Sequence, residues 1–469
     1  MASLAPAPTD SLAFNESHVL ATTQAICEYR QQHRVTGPLF IGHGTPPQSG
    51  LAFIAALGVL TTNRVEVRLE ANGECTPAPA ISRAIVTHNR CASARLADGI
   101  VVRPSHEPGA DGGVTYTRPT GGPDTAVTRW IEDRANRLLS VDRSPLAQIV
   151  YAKARRVKAA HVYDYVGSYV RDLASVVDMD AICRSGLRIG VDPLGAAAPL
   201  WRAIADRYGV RVEAVNEAVD VAFGDDTGGN QHGIVTRATG LMHPEDYLAV
   251  AVGYLFTHRP GWRLSAAIGT TMTGSSLIDR VAAGLGRPVV EAPSGFTSLV
   301  PGLLDGSLGF AADERAAASF LQRDGAAWTT DTDGIVMDLL AAEIMARTGR
   351  DPSELYADLT RAHGTPVFER IDVRATAAER TRLARLSTKD VAASRLAGDA
   401  ITAVRTAAVP CGGLKVATAH GWFAARPCGA AYALYAESFK GHAHLQRIQT
   451  EARAFLGRFL AGVGGRNDR

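Results

Sequence analysis

Lysine is scarce in this chain of 469 residues. Only five of its 49 basic residues are lysine, and the remaining 44 are arginine. Arginine-rich codon usage in a GC-rich genome accounts for most of this imbalance. The shortage still bears on function, because lysine is a mobile donor that many active sites use. The five lysines are Lys153, Lys158, Lys389, Lys415 and Lys440.

The chain also lacks a strong net charge and long apolar runs. Its formal net charge is +2 at pH 7, which provides no global field for holding nucleic acid or an anionic membrane. No apolar run approaches the roughly 18–20 residues of a membrane-spanning helix, and residues 1–14 do not have the pattern of a signal peptide. We therefore expect no nucleic-acid partner and no membrane partner.

The cysteines are few and lie far apart. No two of the six form a Cys-x-x-Cys pair, so their spacing fits neither a disulfide framework nor a zinc site. This pattern is typical of a reducing compartment, and we expect a cytoplasmic protein. The six are Cys27, Cys75, Cys91, Cys183, Cys411 and Cys428.

Short apolar runs, each followed by a stretch with helical periodicity, recur along the chain. Residues 37–42 and 187–191 are predicted to form buried strands, and residues 48–60 and 196–208 the helices that follow them. Alternation of this kind predicts an α/β fold with parallel sheets and crossover helices.

Turn-rich stretches at residues 184–186, 258–262 and 364–367 are candidate domain boundaries. They divide the chain into four predicted domains, and the second is small for an α/β unit. We name these segments domains I to IV, in the order 1–184, 185–259, 260–365 and 366–469.

The strongest motif lies in residues 99–125, where a predicted strand runs into Ser105, His106 and glycine-rich turns. A serine at the carboxyl end of a parallel strand lies where ligands bind in open α/β sheets. A lone serine at such a place more often only caps a turn, so the surrounding residues decide between the two interpretations.

The whole segment resembles the active-site serine loop of the α-D-phosphohexomutases, in particular of bacterial phosphoglucomutases. The resemblance implies a multidomain α/β architecture of mixed and parallel sheets around a central cleft, with an α+β C-terminal domain. It also implies a phosphoserine and Mg²⁺, which together move phosphate between O1 and O6 of a hexose. Further matching segments follow in the same order, at residues 73–84, 190–195, 232–235, 247–261, 305–310, 330–335 and 421–427.

The resemblance places Ser105 at the phosphoserine position, with His106 beside it. The neighbouring asparagine of the family is Glu107 here, and its carboxylate repels a phosphoserine. A family lysine in the first turn of domain I is His43, which can act as a titratable acid or base. We expect these four residues to be catalytic, with Glu107 and His106 as the acid–base pair.

The metal loop of the family, Asp-x-Asp-x-Asp-Arg, corresponds here to Asp226, Gly228, Asn230 and Gln231. Mg²⁺ prefers several converging oxygen ligands, and only Asp226 keeps a carboxylate. The family implies Mg²⁺ as cofactor, but we expect no intact site for it. An alternative is that Asp225 and Asp226 lie in a solvated turn.

The sugar-binding loop of the family corresponds to Asp313, Glu314 and Arg315, of which only Glu314 matches the pattern. We expect these residues to bind substrate. Their alternative role is that of solvent-facing residues at the start of a helix, where acidic side chains suit the helix dipole.

The phosphate clamp of the family corresponds to Arg426, Cys428 and Gly429, where both hydroxyl residues of the pattern are missing. A thiol is a weak donor, and we expect Arg426 and Arg315 to anchor an anion, with Cys428 and Gly429 among the substrate-binding residues. We place His420 near the same loop as a further substrate-binding residue.

Three functions remain open on this evidence. One is a metal-independent enzyme acting on a sugar phosphate, a nucleotide sugar or a related metabolite, and the second is a non-catalytic protein that binds a ligand or partner. The third is a weak surviving phosphoglucomutase that interconverts glucose 1-phosphate and glucose 6-phosphate. The shortened domain II is expected to expose a sheet edge, which makes a homodimer possible.

Overall fold

The computed structural model describes eleven segments of the chain. They contain four sheets and the helices that connect their strands, so the mixed α/β architecture is confirmed. Ser105, His106 and Glu107 lie outside the described residues. The segments are 16–44, 48–71, 75–103, 113–121, 125–140, 160–192, 197–215, 218–293, 295–407, 412–429 and 431–460.

Domain I is a sheet with the order β4-β3-β1-β2-β5 and helices on both faces. Leu39 and Ile41 of β1 pack with α1, α2 and α4, whereas Phe40 between them packs with α3 and α5. The elements are α1 (Glu16–Gln32), β1 (Leu39–His43), α2 (Gln48–Thr62), β2 (Val67–Glu70), α3 (Ala78–Cys91), β3 (Asp98–Arg103), β4 (Gly113–Thr117), α4 (Thr125–Ser140), β5 (Ala160–Tyr163), α5 (Tyr165–Asp172) and α6 (Met179–Ser185).

Domain II is a second five-stranded sheet, with the order β10-β9-β8-β6-β7. Trp201 of the connecting helix stacks on Phe223 of β8, with ring centroids 5.8 Å apart. The elements are β6 (Arg188–Asp192), α7 (Ala198–Tyr208), β7 (Arg211–Ala214), β8 (Val221–Gly224), β9 (Ile234–Thr236) and β10 (Gly240–Leu241). The predicted strand–helix pair at 187–208 therefore agrees with β6 and α7.

Domain III has the strand order β12-β11-β13-β14. Helix α8 precedes the predicted boundary at residue 259 and packs against α9 and α12. The elements are α8 (Pro244–His258), β11 (Ala267–Thr271), α9 (Ser276–Gly284), β12 (Val289–Ala292), α10 (Val300–Asp305), β13 (Leu308–Ala312), β14 (Ala318–Phe320), α11 (Gly334–Thr348) and α12 (Pro352–His363).

Domain IV is a sheet with the order β15-β20-β19-β18-β17-β16, in which all strand pairs are antiparallel. Helices α13 and α14 pack on it and form a separate core. The elements are β15 (Val367–Arg374), α13 (Ala377–Ala384), β16 (Arg395–Leu396), β17 (Asp399–Thr406), β18 (Leu414–Thr418), β19 (Gly421–Cys428), β20 (Ala431–Ser438) and α14 (His442–Leu460).

Local sequence signals fix several helix ends. The Asp333 side chain accepts a hydrogen bond from the Val336 N–H at the start of α11, as an N-cap residue should. Gly349 ends the same helix with φ 67°, a conformation that glycine adopts without strain. None of the described helices is both long and apolar enough to cross a membrane.

A buried ion pair ties α8 to α11. The Arg259 guanidinium donates to both carboxylate oxygens of Glu343, at 2.7 and 2.9 Å. Glu343 also accepts from the Tyr254 hydroxyl and from the Asp178 N–H. Because Asp178 caps α6, this network fixes the end of domain I against domain III.

Candidate active site

His43 lies at the carboxyl end of β1, in the middle of the domain I sheet. Its carbonyl accepts from the Thr76 N–H at 3.0 Å, and the Gly44 N–H donates to the Val102 carbonyl at 2.8 Å. Val102 belongs to β3, whose last residue is Arg103. The chain therefore enters the segment that carries Ser105 next to His43, at the sheet edge where ligands bind in open α/β sheets.

Cys75 lies at the same sheet edge. Its thiol donates to the Gly44 carbonyl at 3.4 Å, and the residue is half-buried. Sequence reasoning did not single out this cysteine as a site residue. The only available signal was its position inside the matching segment 73–84.

The loop at residues 225–231 approaches this edge from domain II. Its Gly228 carbonyl accepts from the N–H of Ala78, the first residue of α3, at 3.3 Å. Oδ1 of Asp226 accepts from the N–H groups of Asn230 and Gln231, at 2.6 and 3.1 Å. The amide of Asn230 donates to the Thr332 carbonyl at 3.0 Å. Internal hydrogen bonds therefore hold the loop in place.

Asp225 is buried, with 6% of its surface exposed, so a solvated turn is wrong for this residue. The Trp201 indole donates to Asp225 Oδ2 at 2.8 Å. Oδ1 has no donor among the described residues, nor has either oxygen of Asp338 on α11. The two carboxyl groups face each other, and burial together with the neighbouring acids raises the pKa of Asp225 to about 7.

The same burial, and then the charge of Asp225, raise the pKa of Asp338 well above its ordinary value. Asp338 therefore holds the proton that lies between the two carboxyl groups. Sequence reasoning missed Asp338, because it lies within the apolar run at the start of α11, between Met337 and Leu339. No pattern connects it with Asp225, which precedes it by more than a hundred residues.

Asp313 and Glu314 lie in the turn between β13 and β14 and not at a helix start. Asp313 Oδ1 accepts from the Arg315 and Ala317 N–H groups, at 2.8 and 3.1 Å, and so closes the turn. Burial raises the pKa of Asp313 to about 6. The Arg315 side chain is exposed.

Glu314 is only 12% exposed and forms an ion pair with Arg426 of β19, with Oε1 2.7 Å from Nη1. Its Oε2 accepts from the Gly295 N–H at 2.9 Å. Burial opposes the charge of Glu314, but the Arg426 guanidinium and this N–H hold its pKa below the ordinary value. The structure thus joins the predicted sugar loop to the predicted phosphate clamp.

The end of β19 carries the other clamp residues. Cys428 lies 3.8 Å from Nη2 of Arg370, and Gly429 has φ 53° in the turn to β20. His420 lies at the opposite end of the same strand, where Nδ1 is 3.2 Å from Asp399. Six residues of extended strand span roughly 20 Å, so placing His420 near Arg426 is wrong.

Comparison with known proteins assigns the chain to one family. Residues 7–141 match the model of phosphoglucomutase/phosphomannomutase alpha/beta/alpha domain I, and residues 243–363 match that of domain III. A phosphoglucomutase of Komagataeibacter xylinus is 44% identical over 498 aligned residues, which cover 97% of this chain and 90% of the relative. The chain belongs to the phosphoglucomutase/phosphomannomutase family.

Solved structures of this family share the fold. Parafusin of Paramecium, a phosphoglucomutase in its open form, superposes with a TM-score of 0.73 at 16% identity, over 100% of this chain and 97% of its own. A phosphoglucomutase/phosphomannomutase family protein of Burkholderia thailandensis gives 0.71 at 16% identity, over 98% and 96% of the two chains. The multidomain mixed α/β architecture expected from the resemblance to the α-D-phosphohexomutases is therefore confirmed.

The loop at residues 225–231 is the one that the resemblance predicts as the family's Mg²⁺ loop. Of the three ligand positions, Asp226 keeps a carboxylate, Gly228 offers no side chain, and the amide of Asn230 is turned to Thr332. Mg²⁺ demands near-octahedral oxygen coordination, usually with carboxylates, and this loop does not fit it. Within the described segments, no three His, Cys, Asp or Glu side chains are placed to hold a metal.

Proposed function

We propose that this member of the phosphoglucomutase/phosphomannomutase family acts without Mg²⁺ on a sugar phosphate, a nucleotide sugar or a related metabolite. Classical Mg²⁺-dependent transfer between O1 and O6 is lost in this proposal. The observation that carries it is the loop at 225–231, which offers one metal-binding carboxylate and is held by its own hydrogen bonds. Phosphoryl transfer depends on neutralising the charge of the phosphoryl group. A loop that binds Mg²⁺ poorly supplies less of the positive charge for this.

Arginine supplies the anion recognition in this proposal. Arg426 keeps its place at the clamp, and an arriving phosphate competes with Glu314 for its guanidinium. His106 and Glu107 supply acid–base chemistry, with Ser105 beside them and His43 at the adjacent strand end. The ligand is a small molecule, and the scattered single cysteines support a cytoplasmic location.

The first experiment measures conversion of glucose 1-phosphate to glucose 6-phosphate by the purified chain, with Mg²⁺ and with EDTA. It also measures the intact mass, which reports phosphate on Ser105. We expect an unmodified mass and no Mg²⁺-dependent conversion, in the wild type and in Ser105→Ala alike. Conversion that requires both Mg²⁺ and Ser105 would overturn the proposal and show a surviving phosphoglucomutase, in line with the name of the Komagataeibacter relative.

The ion pair between Glu314 and Arg426 favours a second function, that of a non-catalytic binding protein. In the ligand-free chain, the Glu314 carboxylate already occupies the predicted phosphate clamp. This arrangement favours a ligand that remains bound over a substrate that is converted and released. Thermal unfolding with glucose 1-phosphate, UDP-glucose or inorganic phosphate separates the two functions. Stabilisation with no product formed supports the binding protein, and EDTA-resistant product formation supports the enzyme.

A further inference from the structure

We propose that β7 of domain II pairs with β7 of a second copy of this chain, which forms a homodimer about a two-fold axis at Val212. Strand β7 stands at the end of its sheet, and β6 is its only strand neighbour among the described residues. Arg211, Glu213 and Ala214 are exposed, and Val215 is 53% exposed. An edge strand of this kind presents backbone groups that a further strand can pair with.

The side chains of β7 identify a second copy as the occupant. Arg211 and Glu213 lie on the same face, because side chains alternate along a strand. In an antiparallel pair centred on Val212, Arg211 of one copy stands opposite Glu213 of the other, and the two-fold axis repeats the contact. Opposite charges at directly opposed positions stabilise a strand pair, and like charges destabilise it.

The charges of β7 have no complementary partner among the described residues of the same copy. On the neighbouring strand β6, the residue opposite Arg211 is Arg188, which has the same charge. Arg188 has its own counterion, Asp220, at 3.8 Å. Among the described residues, neither Arg211 nor Glu213 forms an ion pair or a side-chain hydrogen bond. A second copy therefore supplies the acid that the sheet itself does not supply.

Many protein edges carry charges that repel a further strand. The edge of β7 differs, because Arg211 and Glu213 have opposite charges. When a two-fold axis relates two copies of the strand, Arg211 of each copy faces Glu213 of the other. A partner with an unrelated sequence would not match both positions. The inference goes beyond the proposed function and does not depend on it, since no residue of β7 takes part in the cleft.

Charge reversal tests the pairing by sedimentation velocity of the full chain. We expect a dimer for the wild type at micromolar concentration. E213R places arginine opposite arginine, and R211E places glutamate opposite glutamate, so each variant should weaken the dimer by about tenfold or more. Combining R211E with E213R in one chain should restore it. Mixing the two single variants should give a heterodimer, in which every opposed pair is complementary.

Cross-linking tests the position of the axis. Directly opposed residues of an antiparallel pair lie about 4.5–5.5 Å apart at Cα, which a disulfide can span. V212C should form a disulfide-linked dimer under mild oxidation, and A214C, two residues away from the axis, should not. Circular dichroism confirms that each variant is folded. A monomeric wild type, a dimer unaffected by E213R, or equal cross-linking of V212C and A214C would overturn the proposal.

Discussion

Arg426 of β19 and Glu314 in the turn after β13 form an ion pair between domains IV and III, with 2.7 Å between Nη1 and Oε1. They belong to the segments that the family resemblance predicts as phosphate clamp and sugar loop. The two charges neutralise each other, and the Gly295 N–H donates to the second carboxylate oxygen. In the proposed function, a ligand must displace Glu314 before it meets Arg426.

Glu314→Gln should strengthen the binding of inorganic phosphate and of glucose 1-phosphate. The substitution removes a carboxylate that repels the ligand and competes with it for Arg426. It also removes a charge-assisted hydrogen bond, so we expect a loss of about 1–3 kcal/mol in the free energy of unfolding. Isothermal titration calorimetry measures the affinity, and urea unfolding measures the stability.

The matched control for Glu314→Gln is Asp206→Asn, which removes one negative charge from an exposed position on α7. It should leave phosphate affinity unchanged. If both variants bind phosphate equally well, net charge and not the ion pair sets the affinity.

Restoring the acidic residues of the metal loop should create a Mg²⁺ site. The double variant Gly228→Asp and Asn230→Asp returns carboxylates to both altered positions, and Gly228 is not among the glycines with positive φ. The variant loses the hydrogen bond from the Asn230 side-chain amide to the Thr332 carbonyl, so its stability without metal is lower. Bound Mg²⁺ should restore that stability, because a ligand that binds only the folded state stabilises it. Thermal unfolding with and without Mg²⁺ checks this result. Gly228→Asn, which adds bulk without charge, should show no response to Mg²⁺.

The sequence predicts the architecture of this chain well, because strand and helix periodicity are local properties. The predicted strand at 37–42 and the helix at 48–60 correspond to β1 and α2. The position of His43 beside the start of the serine loop also follows from strand order. His420 was misplaced, because proximity in sequence to Arg426 hides the length of the straight strand β19 between them.

Long-range polar contacts are the part that the sequence does not reveal. Asp338 falls within an apolar run of α11 that predicts only core packing, and its pairing with Asp225 depends on how domain II meets domain III. The same holds for Glu314 and Arg426, whose loops come together only once domains III and IV are in place. In both cases a charged residue type predicts a solvent-exposed side chain. The tertiary structure buries the side chain and gives it a polar partner.

Asp338→Asn should stabilise the chain, and more so at high pH. The ordinary pKa of Asp225 is 3.8, and its folded value is about 7. Between these values the folded chain keeps a proton that the unfolded chain has released. Asp225 therefore lowers the free energy of unfolding by about 1.4 kcal/mol for each unit by which the pH rises in this range. Asp338 also keeps a proton that the unfolded chain releases, because its pKa is raised well above the ordinary value. An amide at 338 does not titrate, so it removes that second contribution to the slope and still gives Asp225 Oδ1 a donor.

Urea unfolding at about pH 5 and about pH 8, on either side of the folded pKa, tests the Asp338 prediction. The gain of Asp338→Asn over the wild type should be larger at the higher pH. Asp206→Asn, again the exposed control, should change stability equally at both values. A gain of the same size at both pH values would mean that packing and not the shared proton is responsible.

His232→Phe should protect the chain against acid. His232 is buried, and neither ring nitrogen has a hydrogen-bond partner among the described residues. Burial lowers its pKa from 6.5 to about 4. Between these values the unfolded chain binds a proton that the folded chain excludes, so this group makes stability fall as pH falls, by about 1.4 kcal/mol per unit.

The slope from His232 opposes that from Asp225 and from the other buried acids whose pKa values are raised, among them Asp313 and Asp333. Phenylalanine keeps the edge-on contact with Tyr247, whose ring centroid is 5.3 Å away, and it cannot bind a proton. The variant should therefore gain stability relative to the wild type as pH falls from about 6.5 to about 4. His258→Phe, on the exposed end of α8, is the control. An unchanged pH profile for His232→Phe would show that water or a proton reaches the buried ring.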